Sequence, residues 1–568
     1  MRRSTAAIAS LVTLGLVGAA CADDGGVRVQ SAVPITTEAV PTAAPTSTPD
    51  STIGDTVPAT VPQNTTGAVP DDSVLDEPLP VETVPPTTAA DVTEPLIIEP
   101  ELAVSIPFSD VVDADSNRVP GDHDDFIAVA FTDIERWWND VYPAVYGTPF
   151  EPLDGELYAG SPTRTTPIPG CGEPETDYDD LQLFVAFYCN VGDFMAYDEG
   201  ADPDVSLLTP LADAFGSAVM GVVLAHEYGH AIQERIGALD RPLATIVTEQ
   251  QADCFAGAWT GQAYRGESPL LRLGDTDVRA GLLAMLEVRD PVGTSQFTPG
   301  GHGSAFDRVG AFQEGFIEGP ARCAELIDDP LPLMPNQFQP FTADEVLAGN
   351  APYDCDDLDP EVRQQLFGED CTSAPEFLAD DLINFWQVTF ADEFGTQFEP
   401  FTVATSDDLA SVSCAGVRPL TPQVVVCPEE RTVVYDEPEV VDLYAEFGDF
   451  TLGYIYGIAA AELVQLDLGT ELSGEDRALL NDCYTGAWVR DITPGDDGVT
   501  PRSQRDDDGD GEPDSTVATS PGDLDEAIRM AILLGDIGIN VDQIGTAFEK
   551  IDAFRTGVLG GLGSCRAG

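Results

Sequence analysis

The stretch Leu224-Ala225-His226-Glu227-Tyr228-Gly229-His230-Ala231-Ile232-Gln233 lies inside an apolar, Ala-rich run from Leu211 to Ile236, closed by Gly237. Such a run with Gly just past its end predicts one helix over 211–236. Residues four apart share a helical face, so His226 and His230 can present two imidazoles to one tetrahedral Zn²⁺. Glu227 between them can reach a water at that metal, take its proton and pass it to a leaving amine. A bare His-Glu-x-x-His pattern is short enough to arise by chance, and a solvated amphipathic helix could also carry it. The reading therefore needs a third ligand.

Glu249 stands nineteen residues after His230, and Asp253 follows four residues later. If that stretch is helical, the two carboxylates share a face. One can bind the metal while the other accepts a hydrogen bond from a ligand imidazole and fixes its ring. Two His and one Glu leave a coordination position open, which is the mark of a catalytic zinc site.

The run His226 to Gln233, with Glu249-Gln250-Gln251-Ala252-Asp253-Cys254-Phe255-Ala256-Gly257 and His302-Gly303-Ser304, resembles the bacterial neutral zinc metallopeptidases of the gluzincin type. The resemblance covers much of 121–326, including Cys189 and Tyr197-Asp198. It implies a zincin-like, helix-rich α+β fold with Glu227 as general base and Glu249 as third ligand. The family pattern requires neither a long stalk nor a second lobe, and both are present here. Natural substrates do not follow from the motif. His302 has two readings: an imidazole stabilising the oxyanion of a tetrahedral intermediate, or a side chain that caps a helix or bonds backbone. Tyr228 and Tyr197 are weaker candidates for the same donor role.

Further along, the chain repeats itself. Gly147-Thr148-Pro149-Phe150-Glu151-Pro152 returns as Gly395-Thr396-Gln397-Phe398-Glu399-Pro400. Cys189 and Tyr197-Asp198-Glu199 return as Cys427 and Tyr435-Asp436-Glu437. Ala252-Asp253-Cys254-Phe255-Ala256-Gly257-Ala258-Trp259 returns as Asn481-Asp482-Cys483-Tyr484-Thr485-Gly486-Ala487-Trp488. Gly303-Ser304-Ala305-Phe306 and Cys323 return as Gly545-Thr546-Ala547-Phe548 and Cys565. Two lobes are expected, 121–326 and 376–568, joined by an acidic connector over 327–375. Aligned this way, Glu462 matches Glu227, but Ala461 and Gln465 replace the two His. Ala478 stands at Glu249 and Ile544 at His302, while Asp482 keeps Asp253. An alanine and an amide cannot replace imidazoles on Zn²⁺, so the second lobe is expected to be a degenerate, pseudo-peptidase copy. The repeat also suggests the pairs Cys171–Cys189, Cys414–Cys427, Cys254–Cys323 and Cys483–Cys565, with Cys355–Cys371 closing the connector.

Of the 11 Cys, this scheme leaves only Cys21. Arg2 and Arg3, an apolar stretch from about Ala6 to Val17 and Gly18-Ala19-Ala20 before Cys21 read as an export signal over 1–21. The cysteine fits lipidation of a mature first residue, although Gly18 stands where that site usually has Leu. Ordinary cleavage is the alternative. Either way the chain is expected outside the cytoplasm, touching a membrane only through a lipid on Cys21. Residues 22–120 are rich in Pro, Thr, Val, Ala and acids and read as a disordered stalk. His123 just beyond it reads as incidental. A net charge of −75, from 25 basic and 100 acidic residues, would repel nucleic acid and anionic membranes. Asp506, Asp508, Asp510 and Asp514, with Gly511 at the sixth position counted from Asp506, match the first part of an EF-hand-like Ca²⁺ loop. Val517 replaces the closing Glu, so a flexible acidic insertion is the competing reading. Together these features point to an extracytoplasmic zinc endopeptidase acting on a peptide or protein substrate. The competing expectation is a non-catalytic surface binding or scaffold protein with a vestigial site.

Overall fold

The computed structural model describes residues 97–334 (apart from 117, 173, 177, 182–184 and 204), 351–357, 360, 363, 371–493, 519–520, 522–535 and 544–566. All of them belong to one compact unit; the other unit, Gln30–Pro95, lies outside the described residues. So do the expected export signal over 1–21 with Cys21, most of the expected connector and the acidic run Asp506–Asp514. The architecture is helix-rich α+β, with two four-stranded mixed sheets set among long helices.

The first half opens with strand β1 (Val112–Asp113) and helix α1 (Asp124–Tyr146). Asp124 and Asp125 complement the helix dipole in the first turn of α1, and Gly147, left-handed at φ 76°, ends it. Strands β2 (Leu157–Gly160), β3 (Ala186–Cys189) and β4 (Phe194–Asp198) complete a sheet ordered β1-β2-β4-β3. β2 runs parallel to β4, and β3 is antiparallel to it and outermost. Helices α2 (Ala218–Arg235), α3 (Thr245–Tyr264), α4 (Asp275–Glu287) and α5 (Ala305–Glu318) follow. Most of α2 and nearly all of α3 are buried on every side, so neither shows an apolar stripe.

The second half contributes α6 (Ala374–Thr389), β5 (Thr402–Ser406), β6 (Arg418–Thr421), β7 (Val424–Cys427) and β8 (Thr432–Asp436). Its helices are α7 (Glu437–Phe447), α8 (Phe450–Leu468), α9 (Glu475–Ile492), α10 (Asp523–Leu534) and α11 (Ala547–Gly560). β8 lies between parallel β5 and antiparallel β7, as β4 lies between β2 and β3. One difference matters below: β6 pairs on the outer side of β7.

The two halves share one continuous hydrophobic core, which holds Trp138, Phe255 and Phe312 together with Trp386, Trp488 and Phe554. Polar contacts cross between them as well. Arg289 Nε donates to Asp525 at 2.7 Å, Arg529 to Glu287 at 2.6 Å, and the Gln313 amide to the Phe548 carbonyl at 2.9 Å. Five disulfides close in the expected pairing, Cys171–Cys189, Cys254–Cys323, Cys355–Cys371, Cys414–Cys427 and Cys483–Cys565. That number fits an oxidising, extracytoplasmic compartment. Among the described residues no helix is long and apolar enough to cross a membrane.

Two expectations need correcting. The stalk does not extend to residue 120: Glu101–Leu102 pairs with Leu271–Arg272, and β1 joins the first sheet. Val112 is buried, and Leu102, Ile106, Phe108 and Val111 pack on the core. These partners lie far away in sequence, so local composition does not reveal them. The helix over 211–236 is also two helices, Leu208–Phe215 and α2, broken where Gly216 takes φ 108°. Gly237, at φ 70°, does end α2.

Candidate metal centre

α2 and α3 cross where Gly229 meets Ala252; a Cβ on Gly229 would lie 3.0 Å from the Ala252 Cα. That close approach sets His226 and His230 opposite Glu249. His226 Nε2 lies 3.2 Å from His230 Nε2 and 3.2 Å from Glu249 Oε2, and His230 Nε2 lies 3.5 Å from Glu249 Oε1. All three side chains are buried.

The remaining ring nitrogens fix the tautomers. His226 Nδ1 faces Asp253 Oδ1 at 2.6 Å, so it carries the proton and donates it. His230 Nδ1 faces Gln233 Oε1 at 2.9 Å; the Gln233 amide nitrogen is used on the Thr248 carbonyl, so this oxygen accepts. With the rings neutral, both Nε2 lone pairs point at the Glu249 carboxylate, neither oxygen of which has another hydrogen-bond donor. Three lone-pair groups meeting in a buried space are a donor set suited to a cation. Ligand atoms about 2.0–2.2 Å from a tetrahedral zinc stand roughly 3.3–3.5 Å from one another, close to the spacing seen. The residues therefore fit the metal.

The electrostatics show how strongly this pocket attracts positive charge. Burial would raise the Glu249 carboxyl, but His230, His302 and His226 outweigh it and hold the group ionised, well below the usual carboxylate range. Burial disfavours an imidazolium at His226, yet Asp253 and Glu249 outweigh that too and lift it to about 10. A metal must displace this proton, so metal affinity will rise with pH.

Sequence reasoning placed Asp253 behind a ligand imidazole, which the structure identifies as His226, but missed what holds Asp253. Arg308 on α5 grips it with Nε at 2.9 Å and Nη2 at 2.7 Å and anchors Nη1 on the Val288 carbonyl at 2.6 Å. The repeat contained the signal: Lys550 follows Gly545-Thr546-Ala547-Phe548 as Arg308 follows Gly303-Ser304-Ala305-Phe306, and Lys550 Nζ contacts Asp482 at 2.8 Å. Gln233 was quoted in the motif but given no role.

Glu227 is only partly buried. Its Oε2 accepts from the backbone N–H of Tyr188 on the outermost strand β3 at 3.0 Å. His302 also comes to the site, with Nε2 4.0 Å from Glu249 Oε2 and Nδ1 3.7 Å from Asp290. Asp290 additionally accepts the backbone N–H groups of His302 and Gly303. Tyr228 does not join the site; its hydroxyl donates to Glu135 on α1. Tyr197 is buried on β4 with its hydroxyl unpartnered. His123 is not idle: it bonds Ser217 at 2.8 Å and Asp213 at 3.0 Å.

The corresponding place in the second half is a cavity of about 350 Å³ lined by Arg418, Glu462, Arg477, Asn481 and Lys550, among others. Ala461 and Ala478 lie on its helices where His226 and Glu249 lie in the first half. Arg477 Nε grips both Glu462 oxygens at 3.0 and 2.8 Å, and Arg418 from β6 reaches one of them at 3.0 Å. The Tyr454 hydroxyl takes the Asp482 oxygen at 2.7 Å, a contact that His226 makes to Asp253 in the first half.

No family model matches the chain, and no solved structure matches it. Among curated proteins, an uncharacterized protein of Mycobacterium tuberculosis, Rv2575, is 30% identical over 170 residues, covering 26% of this chain and 55% of the relative. The Mycobacterium bovis protein Mb2605, also uncharacterized, gives the same figures. The uncharacterized Escherichia coli protein YpfJ is 27% identical over 222 residues, covering 35% of this chain and 69% of the relative. The chain thus spans about half the length of the mycobacterial relatives it matches.

Proposed function

We propose that this chain is an extracytoplasmic zinc endopeptidase of the gluzincin type, with His226, His230 and Glu249 as metal ligands and Glu227 as general base. The observation that carries the reading is the buried Glu249 carboxylate, without a hydrogen-bond donor and facing two Nε2 atoms at the spacing a tetrahedral ion needs.

When bound, zinc supplies the Lewis acid of the reaction. Asp253, itself gripped by Arg308, orients His226, and Gln233 orients His230. Glu227, poised between helix and strand edge, takes a proton from the attacking water and delivers it to the leaving amine. His302, tied to Asp290, donates to the oxyanion as the carbonyl becomes tetrahedral. An extended peptide substrate adds along the outer edge of β3, where main-chain bonds fix its register.

The second half supports the same reading by contrast. We take it as a degenerate copy of the peptidase domain. There β6 fills the edge that β3 leaves open, and two guanidiniums neutralise Glu462. Export under the leader over 1–21, with a lipid on Cys21, completes the proposal.

The test compares the wild-type chain with Glu227→Gln on a mixed peptide library. Wild type is expected to cleave and the variant to lose about 10²–10⁴-fold in rate while keeping its zinc. Equal cleavage by the two proteins would remove Glu227 from the chemistry. Zinc binding without cleavage of any peptide or protein tried would favour the scaffold reading.

A further inference from the structure

A second group of buried oxygens lies away from the metal centre. Asp449 occupies the N-cap position of α8 without a capping hydrogen bond from its side chain, Asp523 opens α10, and Glu526 lies in the first turn of α10. Each offers a carboxylate oxygen within 4.8 Å of the other two. Asp449 is 8% exposed and Asp523 5%.

Helix N-termini favour single carboxylates through their free N–H groups, and part of this cluster is served that way. Asp523 accepts from Ser520 N at 2.8 Å and from Ser520 Oγ at 2.5 Å; Glu526 accepts from Phe450 N at 2.8 Å. Asp449 accepts from Ala351 N at 2.9 Å through Oδ2, but its Oδ1 is buried with no donor. Helix ends do not explain three carboxylates gathered at one point with an oxygen left bare. The basic residues beside them are used elsewhere, Arg529 on Glu287 and Arg289 on Asp525. Among the described residues, none of the three has an ion-pair partner.

We propose that Asp449, Asp523 and Glu526 form a calcium site that joins the N-terminus of α8 to the first turn of α10. The donors are all oxygen, with no imidazole or thiolate in the group, which selects a hard cation. Contributions from separate segments, the Asp449 cap and the start of α10, suit the flexible, high coordination of Ca²⁺ better than the near-ideal octahedron Mg²⁺ demands. The site is distinct from the acidic run Asp506–Asp514 and does not depend on the peptidase reading. It also has a consequence across the fold. Asp525, between two of the ligands, bonds Arg289 of the first half, so ordering this turn steadies the junction next to Asp290 and His302.

The test uses the mature chain saturated with zinc, freed of calcium by dialysis and titrated with CaCl₂ while melting is followed. Wild type is expected to melt several degrees higher once Ca²⁺ exceeds its dissociation constant by about a hundredfold. Asp449→Asn combined with Glu526→Gln should abolish most of this shift, whereas replacing Asp506, Asp508 and Asp510 with Asn should leave most of it. If the double variant does not fold, Asp449→Asn alone should weaken Ca²⁺ binding at least about tenfold by calorimetry. The proposal is overturned if wild type shows no shift, if the carboxylate variants respond as wild type does, or if equimolar Mg²⁺ gives the same shift.

Discussion

Arg308 acts at one remove from the metal. It holds Asp253, Asp253 holds His226, and all three are buried. Replacing it with Gln leaves a buried carboxylate without its cation, a change that typically costs about 3–5 kcal/mol. The same loss frees the His226 ring. Arg308→Gln is therefore expected to weaken zinc binding by about 10–100-fold, as loss of such supporting contacts does, and to lower the melting temperature. Competition with a chromophoric chelator reads the first effect; unchanged zinc affinity would show that Asp253 orients His226 without help. Legibility differed sharply among these residues. His226, His230 and the pairing of Glu249 with Asp253 could be read from spacing, because helical geometry turns i and i+4 into a shared face, while the family resemblance assigned the ligand role to Glu249. Arg308 could not be read from helical spacing, since its link to Asp253 spans 55 residues; only Lys550, its counterpart in the repeat, marks it.

Helix α3 carries Glu249 and Asp253, and it approaches α5 through glycines. A Cβ on Gly257 would overlap the Phe312 carbonyl oxygen, and one on Gly315 would overlap that of Cys254. Gly486 and Gly557 repeat the arrangement between α9 and α11, against Phe554 and Cys483. Neither side chain nor flexible tip is available to yield; the clash is with backbone. Gly257→Ala is thus expected to push α3 from α5, with about 1–3 kcal/mol of destabilisation from overpacking and weaker zinc binding, since Asp253 and Arg308 lie on opposite sides of that contact. Thermal melting with and without added zinc checks both; an Ala variant as stable as wild type would show that the two helices can separate at no cost. The repeated motif Ala252 to Trp259 made Gly257 and Gly486 visible in the sequence, but not Gly315, Gly557 or the backbone that each of them meets. The break at Gly216 escaped the pattern for a similar reason: the apolar, Ala-rich run continues across it, and only the backbone turns.

Across the molecule, the expectation of two lobes meets a single hydrophobic core. Residues of both halves form one cluster, and ion pairs such as Arg289–Asp525 and Arg529–Glu287 cross between them. Sequence repeats show where similar elements recur, but packing between them depends on faces that no local pattern marks. Residues 97–334 expressed alone should expose the side of α4 and α5 that meets α10 and α11. We expect that fragment to aggregate or melt well below the whole chain, and to recover neither fold nor zinc at 25 °C. A soluble fragment with a cooperative transition matching the whole chain would instead make the second half dispensable for folding. In the second half β6 covers the outer edge of β7, and Arg418 and Arg477 pair with Glu462.

The central claim is the metal centre itself. X-ray absorption at the zinc edge on the purified, zinc-loaded chain tests it most directly. The account predicts about one zinc per chain, bound by two imidazole nitrogens and one carboxylate oxygen at about 2.0–2.2 Å, and loss of that signal in Glu249→Ala. A chain that takes up no zinc at neutral pH, or an environment unchanged by Glu249→Ala, would contradict it.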